Sequence, residues 1–533
     1  MRLLDGTAVR AWALAAQEAL AGARDRIDAV NVFPVADSDT GTNLHLTVAG
    51  GAAEVAALPG EGADEGADVT ARAFARGALL AARGNSGVIV SQYLAGLAEA
   101  LPARADGAQV AQALRAAATA ALRAVADPQE GTVLTLARVM GEAAAAASRA
   151  PGVEPADVAA VLQAATAQGR ASLGPISAKH PQLRAAHVLD AGACGLLVLV
   201  QALARVTAGR EHEPADLDWL PASGPQPHAV PQGGGAYEVM LLVRPRHEDA
   251  AGEDAAGEDA GPGPEGGLGS VLSARMQALG DSVAVVGAEG LWNVHVHTDD
   301  PARAIAEAAV GARDQVVVRL LRPEQPGCGA GGRVEEQPVA PAPGVVACTA
   351  SPELAAALAV GGAVVVVRCD GAEVGARNLQ RALTDAGSSR VVLLPGDAST
   401  AEHARSAAHG LAPGVHVEVV EALDDLRVLV GLLALQGGPG DGSTRLAGCS
   451  AALARLRTAR VDDPDAASLA AALDRLVAEH GAQPESLTVL LGRTADEALA
   501  AGLEAYAADR HPGLATVVAG PVESLPGVWL GVD

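Results

Sequence analysis

The sequence predicts a multidomain protein: a helical N-terminal domain, a small α+β middle domain and an α/β C-terminal domain. Three observations carry this reading. A chain of 533 residues is too long for one hydrophobic core. Residues 1–205 are dense in helix formers with few internal breakers. Beyond residue 340, short valine-rich runs alternate with alanine-rich stretches, as strands and helices do in a parallel sheet.

In the N-terminal region the helical segments run over 8–20, 69–81, 108–126, 133–147 and 158–173. The unusual residues collect in the breaks between them, which points to a site at one end of a bundle. Residues 206–234, rich in Pro and Gly, read as a linker. The middle domain, 235–335, has strand-like runs at 237–243, 282–286 and 291–297. It is interrupted by an acidic insertion at 248–267 that contains a tandem Ala-Gly-Glu-Asp-Ala repeat and is expected to be disordered. A second linker covers 329–343. The C-terminal domain, 341–533, has valine-rich runs at 344–348, 363–368, 390–394, 415–420, 487–491 and 515–518.

Composition excludes several classes. Only two Phe, three Tyr and four Trp are present, so the cores must be filled by Ala, Val and Leu. A net charge of −25 argues against nucleic-acid binding, which needs clustered Lys and Arg. Five scattered cysteines form no disulfide framework or CxxC pair, as in a reducing cytosol. No apolar run reaches the roughly 20 residues of a membrane helix, and the first residues have no apolar signal core. A cytoplasmic protein without stable membrane insertion is expected.

The segment Asn31-Val-Phe-Pro-Val-Ala-Asp-Ser-Asp-Thr-Gly-Thr-Asn43 holds two carboxylates, Asp37 and Asp39, at i and i+2. Such a pair can aim both carboxylates to one side and hold a hard cation such as Mg²⁺ together with substrate phosphates. It can equally be an acidic turn before a helix capped by Thr42 or Asn43. Gly84-Asn85-Ser86-Gly87 offers backbone N–H groups and a hydroxyl where a helix opens, either as an anion site or as a plain glycine-rich connection. Glu130-Gly131-Thr132 and Asp190-Ala191-Gly192 read alone as caps or turns. All four loops fall in one helical domain and together supply what phosphoryl transfer needs: positioning and charge neutralisation. No P-loop motif occurs.

These four runs together resemble the catalytic component of bacterial fatty acid kinase, whose N-terminal domain is similar to the nucleotide-binding L subunit of dihydroxyacetone kinase (DhaL). The resemblance implies an all-helical barrel holding ATP and two Mg²⁺ ions at one end. By it, Asp37 and Asp39 ligate metal, with Asn31 as a helper. Thr42, Asn43, Ser86, Asn85 and the backbone of Gly84 and Gly87 hold phosphates, while Thr132, Asp190 and Gly192 line the nucleotide pocket. It further implies phosphorylation of a fatty acid presented by a separate fatty-acid-binding protein, giving an acyl phosphate for phospholipid synthesis. The C-terminal domain would dock the partner, and a homodimer is compatible with the pattern.

Departures are present: Ala36-Asp37-Ser38-Asp39 stands for the family's Pro-Asp-Gly-Asp, and Cys194 for a common glycine. His295 and His297 alternate with valines on one face of a strand, as a metal pair or as the polar face of a half-buried strand. In the family a cysteine completes a zinc-like site there; here Ala236 holds that position, so zinc is the lesser reading beside a role in catalysis or domain contacts. The alternatives to an acyl kinase are a dihydroxyacetone-type kinase acting on a small hydroxyketone and a non-catalytic nucleotide-binding scaffold.

Overall fold

The computed structural model describes residues 3–33, 38–59, 66–149, 157–221, 235–246, 267–288, 290–321, 343–411, 414–437, 442–481 and 484–533. Asp37, the acidic insertion up to residue 266 and most of the second linker lie outside the described residues. The chain divides into two compact units. One comprises Met1–Gly234, Val243–His297 and Arg322–Cys328; the other comprises Gly235–Leu242, Thr298–Leu321 and Gly329–Asp533.

The first unit opens with helices α1 (Gly6–Asp28), α2 (Thr40–Ala56), α3 (Ala67–Ala81), α4 (Gly84–Ala100), α5 (Gly107–Arg123), α6 (Val133–Ser148), α7 (Val158–Ser177), the short α8 (Pro181–Ala186) and α9 (Ala191–Thr207). Their starts follow from local chemistry. Asp5 caps α1 by accepting from Ala8 N at 3.0 Å, and Asp106 and Gln109 form a capping box on α5. Each long helix packs on the next in sequence, α7 on α9, and α9 returns to α1. The ring closes, so the expected helical barrel is present.

The ring is held tight by small residues and a few large anchors. Trp12 of α1 meets Phe74 of α3 edge-on at 5.1 Å and donates its indole N–H to the Leu199 carbonyl of α9 at 2.9 Å. The stretch 190–195, read from sequence as a loop, is instead the cap and first turn of α9. Its glycines are accommodated by close packing: a Cβ on Gly195 would come within 2.2 Å of Leu44 Cδ1 of α2. Among the described residues no helix is long and apolar enough to cross a membrane.

Helix α10 (Leu268–Gln277) and the neighbouring strands β2 (Gly280–Ala288) and β3 (Leu291–Thr298) complete this unit. They are tied to the ring at two points. Ala284 of β2 bridges Val125 after α5, and the buried Asn293 side chain of β3 donates to Leu79 O of α3 at 3.1 Å.

The second unit holds strands β1 (Tyr237–Arg244), β4 (Ala312–Leu320), β5 (Gly344–Thr349), β6 (Ala363–Val367), β7 (Arg390–Leu394) and β8 (His416–Val419), in the order β1-β4-β6-β5-β7-β8. Strand β5 runs parallel to β6 and β7, and β7 parallel to β8, while β4 joins β6 antiparallel. A four-stranded sheet follows from β9 (Arg457–Val461), β10 (Ser486–Gly492), β11 (Ala515–Val522) and β12 (Val528–Val532), ordered β11-β10-β12-β9. The Pro395-Gly-Asp397 segment is a turn whose aspartate caps the following helix through Thr400 N at 2.8 Å.

Replacing Trp12 removes both the aromatic contact and the hydrogen bond to α9. Trp12→Ala is expected to lower unfolding free energy by about 3–5 kcal/mol, measured by urea denaturation. A loss under about 1 kcal/mol would show that the ring does not depend on this anchor.

Candidate functional site

Three of the long helices begin around one cavity of about 500 Å³. Helix α4 begins at Gly84, α6 at Val133 and α9 at Ala191. Asn85, Ser86, Thr132, Val133, Asp190 and Gly192 from these three starts all line it. Among the described residues neither α4 nor α6 has a side-chain cap on its first turn. Uncapped N-termini present backbone N–H groups and a partial positive charge, which suits an anion.

Local structure explains why the residues sit as they do. Gly84 has φ +56, and a Cβ there would press within 2.5 Å of Asn43 Nδ2. Glycine therefore lets the chain turn into α4 directly against α2. The Thr132 hydroxyl donates to Gln129 O at 2.8 Å, fixing the turn before α6. The Asp190 carboxylate caps α9 by accepting from Ala193 N at 2.7 Å and also accepts from the Val133 backbone, joining the starts of two helices. Burial pushes its pKa up to about 6, against the pull of those two N–H groups.

Two amide oxygens on the cavity lining have no protein partner. Asn85 Oδ1 and Gln182 Oε1 are buried and accept no hydrogen bond among the described residues. Buried acceptors are nearly always satisfied, so a donor from a bound ligand is the natural complement. Phe33 adds an aromatic surface, its ring 4.1 Å from the His180 ring.

The start of α2 lies beside α4 through Asn43 and Gly84. Asp39 stands at its N-cap position and accepts from Asn43 Nδ2 at 2.8 Å. The Thr42 hydroxyl donates to Asp28 Oδ2 at 2.8 Å, and Asp28 Oδ1 accepts from Gly41 N and Thr42 N at 2.6 and 3.0 Å. Asp28, at the end of α1, thus caps α2 from outside. Burial raises its pKa while these bonds and Arg24 draw it down. Asn31 is buried nearby in sequence, its backbone N–H bonded to Asp28 O. Asp39 and Asn31 offer oxygen donors, the chemistry a hard cation such as Mg²⁺ accepts.

The structure gathers Asn85, Ser86, Thr132, Asp190 and Gly192 on the cavity, with Gly84, Gly87, Asn43 and Asp39 in the adjoining α2–α4 contact. It directs the Thr42 hydroxyl to Asp28. His295 and His297 lie elsewhere, on β3, both buried, with ring centroids 4.9 Å apart. Sequence reasoning missed Asp28, Gln182 and Phe33. It also missed a whole wall of the cavity formed by Gln277 and Gly280–Val283. Asp28 had one signal: an acid at a helix C-terminus opposes the dipole and calls for a partner.

Gly84→Ala should strain the turn and displace Asn43, at about 1–2 kcal/mol from the left-handed backbone alone. It should weaken ligand binding at the cavity, read by titration, and unchanged stability and binding would contradict the role given to Gly84. For Asp190 the raised pKa fixes a sign. Stability from the protonated form is full below about pH 4 and is lost as pH rises through about 6. Asp190→Asn should flatten melting temperature against pH across that window. An unchanged profile would contradict it.

The geometry agrees with comparisons to known proteins. Residues 34–205 match the model of the DAK2 domain, and residues 269–323 that of the FakA-like middle domain of fatty acid kinase. Protein YloV of Bacillus subtilis is 28% identical over 323 residues, covering 57% of this chain and 53% of its own length. Uncharacterized proteins of Staphylococcus haemolyticus and Staphylococcus aureus are each 28% identical, over 286 and 289 residues, covering 52% of this chain and 48% of their own length. The chain spans about half the length of the curated relatives it matches. The cavity is lined from both matched regions, and the chain is a FakA-like protein of the fatty acid kinase family, built on a DAK2 domain.

Proposed function

We propose that this protein is an ATP- and Mg²⁺-dependent kinase that phosphorylates a fatty acid carried by a separate binding protein in the cytoplasm. The convergence of three helix N-termini on one cavity is the observation that carries the reading. The match to a kinase-type domain and to a FakA-like middle domain supports it.

In this reading the starts of α4, α6 and α9 receive phosphate charge through backbone N–H groups and the Ser86 and Thr132 side chains. Mg²⁺, when bound, neutralises phosphate charge; Asp39 would hold it, together with Asp37 and with Asn31 beside them. Asn43 orients Asp39, and Asp28 anchors the turn that carries both. The acceptor is a carboxylate, already a nucleophile at neutral pH, so no strong general base is required.

The test is acyl phosphate formation by the full chain with ATP, Mg²⁺ and a fatty acid bound to its carrier. Asp39→Ala should lower kcat by about 10²–10³-fold or more while the melting temperature stays near that of the parent chain. Full activity in Asp39→Ala would overturn the metal assignment. Transfer to a small hydroxyketone and none to the fatty acid would overturn the acyl acceptor.

A further inference from the structure

The wall of the cavity that sequence reasoning missed has a chemistry of its own. It comes from Gly280–Val283 at the start of β2, outside the DAK2 match, and from the 125–127 segment that β2 joins through the Val125–Ala284 bridge. Two carboxylates stand on it, Asp127 and Asp281, and among the described residues no Lys, Arg or His side chain lines the cavity. Phosphates therefore belong at the helix starts and not against this wall, where like charges would meet. The same repulsion keeps an acceptor carboxylate away from it. What remains is the uncharged, donor-bearing half of a nucleotide.

Of the two carboxylates, Asp127 is already engaged, its Oδ2 accepting from Gln129 Nε2 at 2.7 Å. Beside Asp281 stands the His297 ring, Nδ1 to Oδ1 at 3.9 Å, too long for a hydrogen bond. The Asp281 side chain is 53% exposed. The next residue, Ser282, holds φ +51, a left-handed conformation that a serine adopts only under constraint.

We propose that Asp281 is a ribose-binding residue: its carboxylate accepts hydrogen bonds from the ribose hydroxyls of the nucleotide. A carboxylate matches a vicinal diol, two donors on adjacent carbons, as acidic residues do in other nucleotide sites. The middle region then forms part of the nucleotide site, and the β2 turn places the nucleoside while the helix starts hold the phosphates. This rests on the nucleotide reading of the cavity given above.

The experiment uses the full chain with Mg²⁺ and compares the Kd of ATP with those of 2′-deoxy-ATP and 3′-deoxy-ATP by calorimetric titration. The parent chain should bind ATP about 10- to 100-fold tighter than at least one deoxy analogue. In Asp281→Ala that ratio should fall to near one, with kcat at saturating ATP largely kept. Asp281→Asn, which keeps an acceptor but loses the charge, should fall between. An unchanged ratio in Asp281→Ala, or a parent chain indifferent to both deoxy analogues, overturns the ribose assignment while leaving the kinase reading standing. No ATP binding by the parent chain overturns both.

Discussion

The return of α9 onto α1 is the constraint on which the rest of the first unit depends. Trp12 spans it, with its ring against α3 and its indole N–H on α9. Once the ring is closed, neighbouring helices alternate in direction, and α4, α6 and α9 begin at a common end. Alanine and glycine make this possible, since helices with little side-chain bulk approach closely. Gly195 against Leu44 is one such approach, and Gly84 against Asn43 is another at the site itself. The same residue usage that leaves the chain poor in aromatics therefore sets the spacing of the functional end.

Electrostatics follow from that geometry. In a chain of net charge −25, a cavity for polyphosphate cannot rely on a general positive field. Among the described residues the cavity lining has no basic side chain, so helix N-termini are its fixed source of positive potential. Asp190 shows how finely this is balanced: it ties the starts of α6 and α9 together, and burial raises its pKa to about 6. A bound cation would supply the remaining compensation, which is why the acidic turn before α2 sits beside the α4 start.

Much of the fold was legible in the sequence, for physical reasons. Buried parallel strands read as valine runs, so β5, β6, β7, β8, β10 and β11 were recognisable. Strand β9 was not, because Arg457-Thr-Ala-Arg-Val461 is an edge strand with an exposed, polar face. Strand β4 was hidden by Arg313, Asp314 and Gln315 at its start. At the site, the loops announced themselves by Gly, Ser, Thr, Asn and Asp between apolar helices. The β2 wall did not, since Asp281 and Ser282 are ordinary residues whose meaning comes only from folding onto helices far away in sequence. The extent of α2 and α9 was also misread, because glycines that look like breaks are packing residues within helices.

The most direct test is a crystal structure of the full chain with Mg²⁺ and a non-hydrolysable ATP analogue. The phosphates are expected at the starts of α4, α6 and α9, close to Ser86 and Thr132, with the metal on Asp39. A nucleotide bound anywhere else, with this cavity left to solvent, would contradict the assignment of the helix starts as the phosphate site.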